Sequence, residues 1–239
     1  MHTDRRLLLP LFLAVLTSAT AAAQERELHW QSLDVRARLG ADGRLQVTET
    51  HGMVFTGDWN GGERGFRLDD GQRLRLRGVS RRDPQTGETV PLVEGDLSQV
   101  DHYGFTDSKT LRWRSRLPSD APFDKTALTY VIDYELSDVL QPREGGEFLL
   151  DHDFAFRERP GVIEDFRLTL EVDPAWRSGG DLPARIERRA LPPGQGVVVT
   201  APLRYTREGA PAGVRLGASP TIRTALLVLL AAAFALLWA

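Results

Sequence analysis

The sequence places one acidic side chain where a carboxylate is costly. Glu49 lies in a run of alternating apolar residues and shares its parity with Val47 and Phe55, which predicts that it points into the core. A carboxylate buried without a partner is unfavourable, so we expect a cation beside it. Arg67 is the predicted partner, because a guanidinium can bind a carboxylate through two parallel hydrogen bonds. We interpret Glu49 and Arg67 as a structural buried pair; the alternative is a ligand-binding or catalytic carboxylate.

Arginine rows form the second pattern that could carry function. If their two strands were neighbours facing the same way, the rows would make a guanidinium patch for anionic lipid headgroups or a cell-envelope polymer. Otherwise they are solvated outer faces balanced by nearby acids. Trp59, beside an Asn-Gly-Gly loop, is a further candidate for contact with a partner. The rows are Arg73, Arg75 and Arg77 on one predicted strand, and Arg112, Arg114 and Arg116 on another.

Other residue types that could do chemistry lack the necessary spacing. Asp101-His102 and Asp151-His152-Asp153 combine imidazole with carboxylate, but their spacing matches no metal motif. The chain has no Gly-x-Ser-x-Gly nucleophile elbow. Acids are too frequent to single out the two carboxylates that a glycosidase needs. We therefore predict no catalytic residue, no metal site and no cofactor.

The N-terminus has the layout of a secretory signal peptide. Arg5 and Arg6 precede the apolar run 7–16, and small residues end at Ala21-Ala22-Ala23. This order of a basic, an apolar and a small-residue region is typical of a cleaved export signal. We predict a signal peptide over residues 1–23 and a periplasmic location for the domain that begins at residue 24.

The C-terminus predicts a membrane anchor. Residues 225–239 contain no charged side chain, but as a helix they reach only about 22 Å against a hydrocarbon core of about 30 Å. Including residues 221–224, with Arg223 extending toward the headgroups, brings the length near the minimum. We predict a single transmembrane helix over 221–239 in a bacterial inner membrane. The Gly-, Ala- and Pro-rich segment 208–220 is the predicted tether.

Residues 24–207 predict an all-β domain. Apolar and polar residues alternate through 33–39 and 128–136, and Gly40-Ala41-Asp42-Gly43 provides a hairpin turn after the first of these runs. No long 3.6-residue period occurs before residue 221. We predict an antiparallel β-sandwich outside the cytoplasm.

Charge and cysteine content exclude some classes of protein. The net charge of −3 does not suit a nucleic-acid-binding protein, so we predict no nucleic-acid partner. With no cysteine in the chain, disulfide frameworks and thiolate zinc sites are excluded.

Several short motifs occur in a fixed order along the chain: an Asp42-Gly43 turn, Val47-x-Glu49, Phe55-x-Gly57, Gly65-Phe66-Arg67 and Tyr130-x-Ile132-x-Tyr134. Together they resemble a family of membrane proteins, domain of unknown function 2207. That resemblance implies a signal peptide, an extracytoplasmic β domain and membrane helices, and it attaches no reaction to the chain.

Export signal, anchor and the lack of a catalytic motif favour a membrane-tethered module that binds a protein or envelope partner. One alternative is a glycan-directed hydrolase of the cell envelope, which would need a concave pocket with at least two carboxylates. Another is a subunit of a membrane complex, whose apolar tail would pack against other membrane helices.

Overall fold

The computed structural model describes residues 25–83, 86–216, 228–229 and 234. Residues 25–216 of this set form fifteen strands joined by turns and loops, with one turn of 3₁₀ helix at Glu144–Gly146. The strands are β1 (Glu27–Leu39), β2 (Leu45–Gly57), β3 (Gly61–Gly65), β4 (Arg73–Arg82), β5 (Thr89–Pro91), β6 (Val93–Glu94), β7 (His102–Phe105), β8 (Thr110–Arg114), β9 (Phe123–Ser137), β10 (Leu140–Pro142), β11 (Glu147–Asp153), β12 (Ile163–Val172), β13 (Trp176–Ser178), β14 (Arg185–Leu191) and β15 (Val198–Tyr205).

The strands are arranged in three sheets. A seven-stranded large sheet has the order β14-β12-β1-β2-β9-β4-β5. The first small sheet has the order β3-β8-β7-β6, and the second small sheet has the order β10-β11-β15-β13. The prediction of an all-β fold is confirmed for the described residues.

The predicted first hairpin is present in the centre of the large sheet. Strands β1 and β2 pair antiparallel from Leu39 opposite Leu45, with a register shift between Trp30 and Ser32. Gly43 closes the turn at φ 82°, a left-handed backbone conformation that glycine adopts without steric cost.

Strand pairing in the large sheet is not wholly antiparallel, so that part of the prediction was wrong. β1 pairs with β12 in parallel, from Trp30 opposite Ile163 to Leu39 opposite Val172. Parallel neighbours require a crossover connection. Here the connection is long: strands β2 to β11 all come between β1 and β12 in the chain.

Both small sheets pack on the same face of the large sheet, which makes the core sandwich-like. Strand alternation buries one side of β1, β2 and β9 almost completely. Trp113 of β8 lies 5.2 Å from Tyr130 of β9 between ring centroids. Phe156, just after β11, lies 5.4 Å from Trp30 of β1.

The described part of the predicted tether is attached to the domain. Pro211 and Val214 are buried. Gly213 donates its N–H to the carbonyl of Asp42 at 2.7 Å and accepts the N–H of Asp138 at 2.8 Å. Residues 211–215 are therefore part of the folded domain, and a free linker could begin only after them.

The two predicted terminal segments lie mostly outside the described residues. Nothing of 1–23 is described, and of 221–239 only Val228, Leu229 and Phe234 are, each in helical conformation. Within the described part of the chain, no helix has the length and apolar character needed to cross a bilayer.

Candidate functional site

Glu49 is completely buried in the middle of β2, on the core face that its parity predicts. Its partner is Arg64 of β3, which donates from Nε to Oε2 at 2.9 Å and from Nη2 to Oε1 at 2.8 Å. The prediction of Arg67 was wrong, because Arg67 is exposed. Residues 64 and 67 have opposite parity, and it is Gly62, Arg64 and Phe66 that face the core.

Two further side chains complete the binding of this carboxylate. The Tyr134 hydroxyl of β9 donates to Glu49 Oε1 at 2.7 Å. On the same strand as Glu49, His51 contacts Oε2 through Nε2 at 2.9 Å. The Trp30 indole donates to His51 Nδ1 at 3.0 Å, and because an indole N–H can only donate, Nδ1 must accept. Nε2 therefore carries the imidazole proton and donates a hydrogen bond to Glu49 Oε2.

The resulting buried cluster consists of Trp30, Glu49, His51, Arg64 and Tyr134. Burial opposes ionisation of Glu49, but the Arg64 charge and the hydrogen bonds from His51 and Arg64 hold the pKa of the carboxyl well below its usual range. Burial, with the Glu49 charge, raises the pKa of Tyr134 well above its ordinary value. The cluster thus contains one buried ion pair, between the Glu49 carboxylate and the Arg64 guanidinium, and a neutral tyrosine.

A groove of about 820 Å³ lies directly over this cluster, between the two small sheets. Its floor is Tyr134 and Leu136 of the large sheet, together with Arg64. One wall comes from residues 65–69, Gln72 and 107–110 on the side of the first small sheet, and the other comes from residues 151–153, 156–158 and Val198 on the side of the second.

Arg64 connects the buried cluster with the groove. Its guanidinium lies over two aromatic rings, 4.6 Å from the centroid of Phe66 and 4.6 Å from that of Phe156. It also donates from Nη1 to the carbonyl of Gly65. Contact with both rings and a bidentate bond to the Glu49 carboxylate fix this side chain in one position.

His152 lies in the groove wall with an unsatisfied ring nitrogen. Its Nε2 is buried and has no hydrogen-bond partner among the described residues. Burial, assisted by the nearby Arg64 charge, lowers the pKa of His152 to about 4, so the imidazole is neutral at pH 7. The ring packs edge-on against Phe154 at 4.8 Å. The Nε2 atom of a neutral imidazole can form one hydrogen bond with a bound molecule, either as donor or as acceptor according to the tautomer.

The groove also contains several carboxylates, most of which have structural partners. Asp107 accepts the backbone N–H groups of residues 109 and 110 and so fixes the β7–β8 turn. Asp153 pairs with Arg157 and accepts two backbone N–H groups. The carboxylates of Asp69 and Glu158 accept no hydrogen bond within the described part of the chain.

The two predicted arginine rows do not form one patch. Arg73, Arg75 and Arg77 lie on β4 of the large sheet, where Arg77 pairs with Glu135 at 2.5 Å and Arg73 pairs with Asp138 at 3.1 Å.

The second row lies on and after β8 of the first small sheet, on the opposite side of the sandwich. There, Arg112 pairs with Glu63 at 2.6 Å and Arg114 donates to the carbonyl of Leu97. Arg116 is buried. The arginines of both rows are therefore mostly occupied by local partners.

Trp59 is half-buried at the end of β2, away from the groove. Arg26 lies over its ring at 4.2 Å, and Arg116 donates to its carbonyl at 3.0 Å. Its indole Nε1 is buried without a partner among the described residues. The structure thus gives Trp59 a packing role at the end of the domain opposite the first hairpin turn.

Of the two His-Asp segments, only one reaches the groove. Asp101 instead forms a bidentate pair with Arg81, at 2.9 and 2.7 Å. The described residues contain no group of three or more side chains arranged to hold a metal ion.

Sequence reasoning missed two members of the cluster for which a signal existed. His51 has the parity of Glu49 on the same strand, and Tyr134 has the core parity of the longest alternating run. Two polar residues at i and i+2 on a core face indicate a buried network rather than an isolated pair.

Comparison with known proteins gives only remote similarity. No protein-family model matches the chain, and no curated protein does. Among solved structures, the chain is similar to a proposed protease from Parabacteroides distasonis ATCC 8503, with 13% identity, a TM-score of 0.34, and 78% of this chain and 39% of that one covered. It is also similar to an M1 zinc metallopeptidase from Deinococcus radiodurans, with 10% identity, a TM-score of 0.39, and 77% of this chain and 40% of that one covered. The chain spans less than half the length of either protein, and at this level of similarity no activity transfers from them.

Proposed function

We propose that this chain is a membrane-tethered extracytoplasmic β-sandwich module that binds a segment of a protein or envelope partner in its groove. The carrying observation is the groove itself, with the buried, unpartnered Nε2 of His152 in its wall. The signal-like N-terminus and the apolar C-terminus support export and anchoring.

The physical character of the groove suits binding. Its volume lies within the range of about 300–1,000 Å³ that is typical of ligand pockets. The floor is held rigid by the buried cluster, so a bound segment would meet a preformed surface. A buried nitrogen without a partner costs about 1–3 kcal/mol, and a ligand that supplies the missing hydrogen bond recovers that cost.

Site-specific photo-cross-linking in intact cells tests this proposal. A photoreactive residue replaces Leu68 or Gln72 in the groove, and in matched controls it replaces Thr50 or Arg188 outside the groove. We expect a discrete adduct from both groove positions, and its loss when His152→Phe is added. Equal adducts from the control positions, or none from the groove, would contradict groove binding.

A glycan-directed hydrolase is the second candidate, and the carboxylates of the groove favour it. Asp69 and Glu158 lie in opposite walls, and among the described residues neither carboxylate accepts a hydrogen bond. Glycoside hydrolysis uses two carboxyl groups, one as acid and one as base or nucleophile, and these two residues are the candidate pair.

Incubation of the purified chain with isolated cell-envelope glycans distinguishes the two candidates. Release of reducing ends that is abolished by Asp69→Asn or Glu158→Gln, and retained in Asp107→Asn, would establish the hydrolase. Absence of release, together with specific groove adducts, supports the binding module.

A further inference from the structure

The segment 211–216 leaves the domain at one defined end. Gly213 is held by the first hairpin turn through Asp42 and by the corner after β9 through Asp138, which also accepts the N–H of Arg215 at 2.6 Å. Val214 packs beside Gly43, where an added Cβ would lie 2.6 Å from a Val214 methyl group. These contacts fix the place from which the chain continues toward its apolar C-terminal residues.

The groove floor lies toward this same end. In the strand registers, Leu45 at the start of β2 pairs with Leu136 of the groove floor, and Leu136 also pairs with Leu74 near the start of β4. An added Cβ at Gly71, beside groove residue Gln72, would lie 4.0 Å from Nη1 of Arg215. The other end of β2, at Gly57, pairs with Phe123 far from the groove.

The length of the link to the predicted membrane helix, compared with the length of the domain, limits how the domain can be oriented. Only residues 217–220 separate the docked segment from the predicted membrane helix, and fully extended they allow a reach of about 18 Å. β2 has 13 residues and is therefore about 43 Å long. A free tether over 208–220 would have allowed any orientation, but a link this short holds the hairpin-turn end of the domain near the bilayer.

We infer that the end of the domain formed by the first hairpin turn, the corner after β9 and the start of β4 faces the lipid bilayer, so that the groove floor lies toward the membrane-proximal end of the domain. This inference rests on the membrane tether of the proposed function. The groove would accordingly receive a segment that a partner presents close to the membrane, rather than one reaching in from the far periplasm.

Energy transfer to labelled lipid measures this orientation. The chain contains no cysteine, so single-cysteine variants can each carry one donor dye without background. Asp70→Cys places the dye at the proposed membrane-facing end, and Asp124→Cys places it beside Phe123 at the opposite end. Full-length chains are reconstituted into phosphatidylcholine vesicles that contain an acceptor-labelled lipid.

We expect about threefold more transfer from Asp70→Cys than from Asp124→Cys, because the two ends differ in height by most of a strand length. Insertion of twelve Gly/Ser residues after Leu216 should reduce the difference. Equal transfer from both sites in vesicle-bound protein would overturn the orientation alone. A chain that does not associate with the vesicles would overturn the membrane tether, and the orientation with it.

Discussion

Trp30 determines which nitrogen of His51 carries the proton. Its indole N–H points at His51 Nδ1 from 3.0 Å, so the imidazole presents its Nε2 proton to Glu49. Both side chains are almost fully buried, and no water can replace either hydrogen bond. The tautomer of one histidine is thus set by a residue on the neighbouring strand.

Trp30→Phe should therefore destabilise the domain by about 1–3 kcal/mol beyond the effect of the smaller ring, because it leaves His51 Nδ1 buried without a donor. Urea unfolding measures this loss. Trp59→Phe is the matched control, since the Trp59 indole has no hydrogen-bond partner among the described residues. ¹⁵N NMR should show a single Nε2-protonated tautomer of His51 in the wild type. Equal losses in both variants would contradict the assignment.

Arg64→Met should cost about 3–5 kcal/mol of the free energy of unfolding, because it leaves the Glu49 carboxylate buried without a countercharge. Arg67→Met, three residues away and exposed, should change it by less than about 0.5 kcal/mol. Adding Glu49→Leu to Arg64→Met should recover part of the loss, since the uncompensated charge is then removed. A larger effect of Arg67→Met than of Arg64→Met would restore the partner first predicted.

Gly62→Ala should be strongly destabilising, by about 1–3 kcal/mol in thermal or urea unfolding. A Cβ at this position would lie 2.1 Å from the ring of the buried Trp113. Gly65→Ala tests the same substitution in the same strand, where an added Cβ meets no atom within 4 Å. If both variants lose the same free energy of unfolding, the close packing of β3 on Trp113 is not the reason why residue 62 must be glycine.

The first hairpin shows what could be predicted from the sequence. The alternation of β1 and β2 and the Asp42-Gly43 turn specify strand, turn and core face together, and parity alone buried Glu49 correctly. Arg64 was missed because β3 has only five residues, too few for alternation to reveal which of them face inward.

Tertiary contacts account for the other failures. The parallel pairing of β1 with β12 depends on which distant strand returns to which edge, and periodicity within a strand carries no such information. Composition likewise marked 208–220 as a linker, although specific hydrogen bonds to Asp42 and Asp138 attach its central part to the domain. The groove arises from the separation of the two small sheets, so no local sequence pattern predicts it.

His152 should make the stability of the domain depend on pH between about 4 and 6.5. Its folded-state pKa, about 4, lies below the unfolded value of 6.5. The unfolded chain therefore binds more protons in this window, and the contribution is full above pH 6.5 and is lost as the pH falls.

The expected loss from this group between pH 7 and 4.5 is about 2 kcal/mol, after allowance for its partial contact with solvent. Urea unfolding gives the free energy of unfolding of the wild type and of His152→Asn at both pH values. The contribution of His152 is the fall in this free energy between pH 7 and 4.5 in the wild type minus the fall in the variant. An identical loss of unfolding free energy in both proteins would show that His152 is not desolvated in the groove wall.

The parallel pairing of β1 and β12 has a consequence for the order in which the chain can fold. Asp34 and its neighbour Arg167 are 133 residues apart, so during synthesis from the N-terminus one edge of β1 emerges long before the strand that covers it. Until then, the backbone donors and acceptors of that edge are unpaired and can template intermolecular pairing. Formation of this long-range contact is slow, because a large loop must close first. A chain with this topology depends on its second half to protect its first strand, and a version truncated before residue 163 should aggregate.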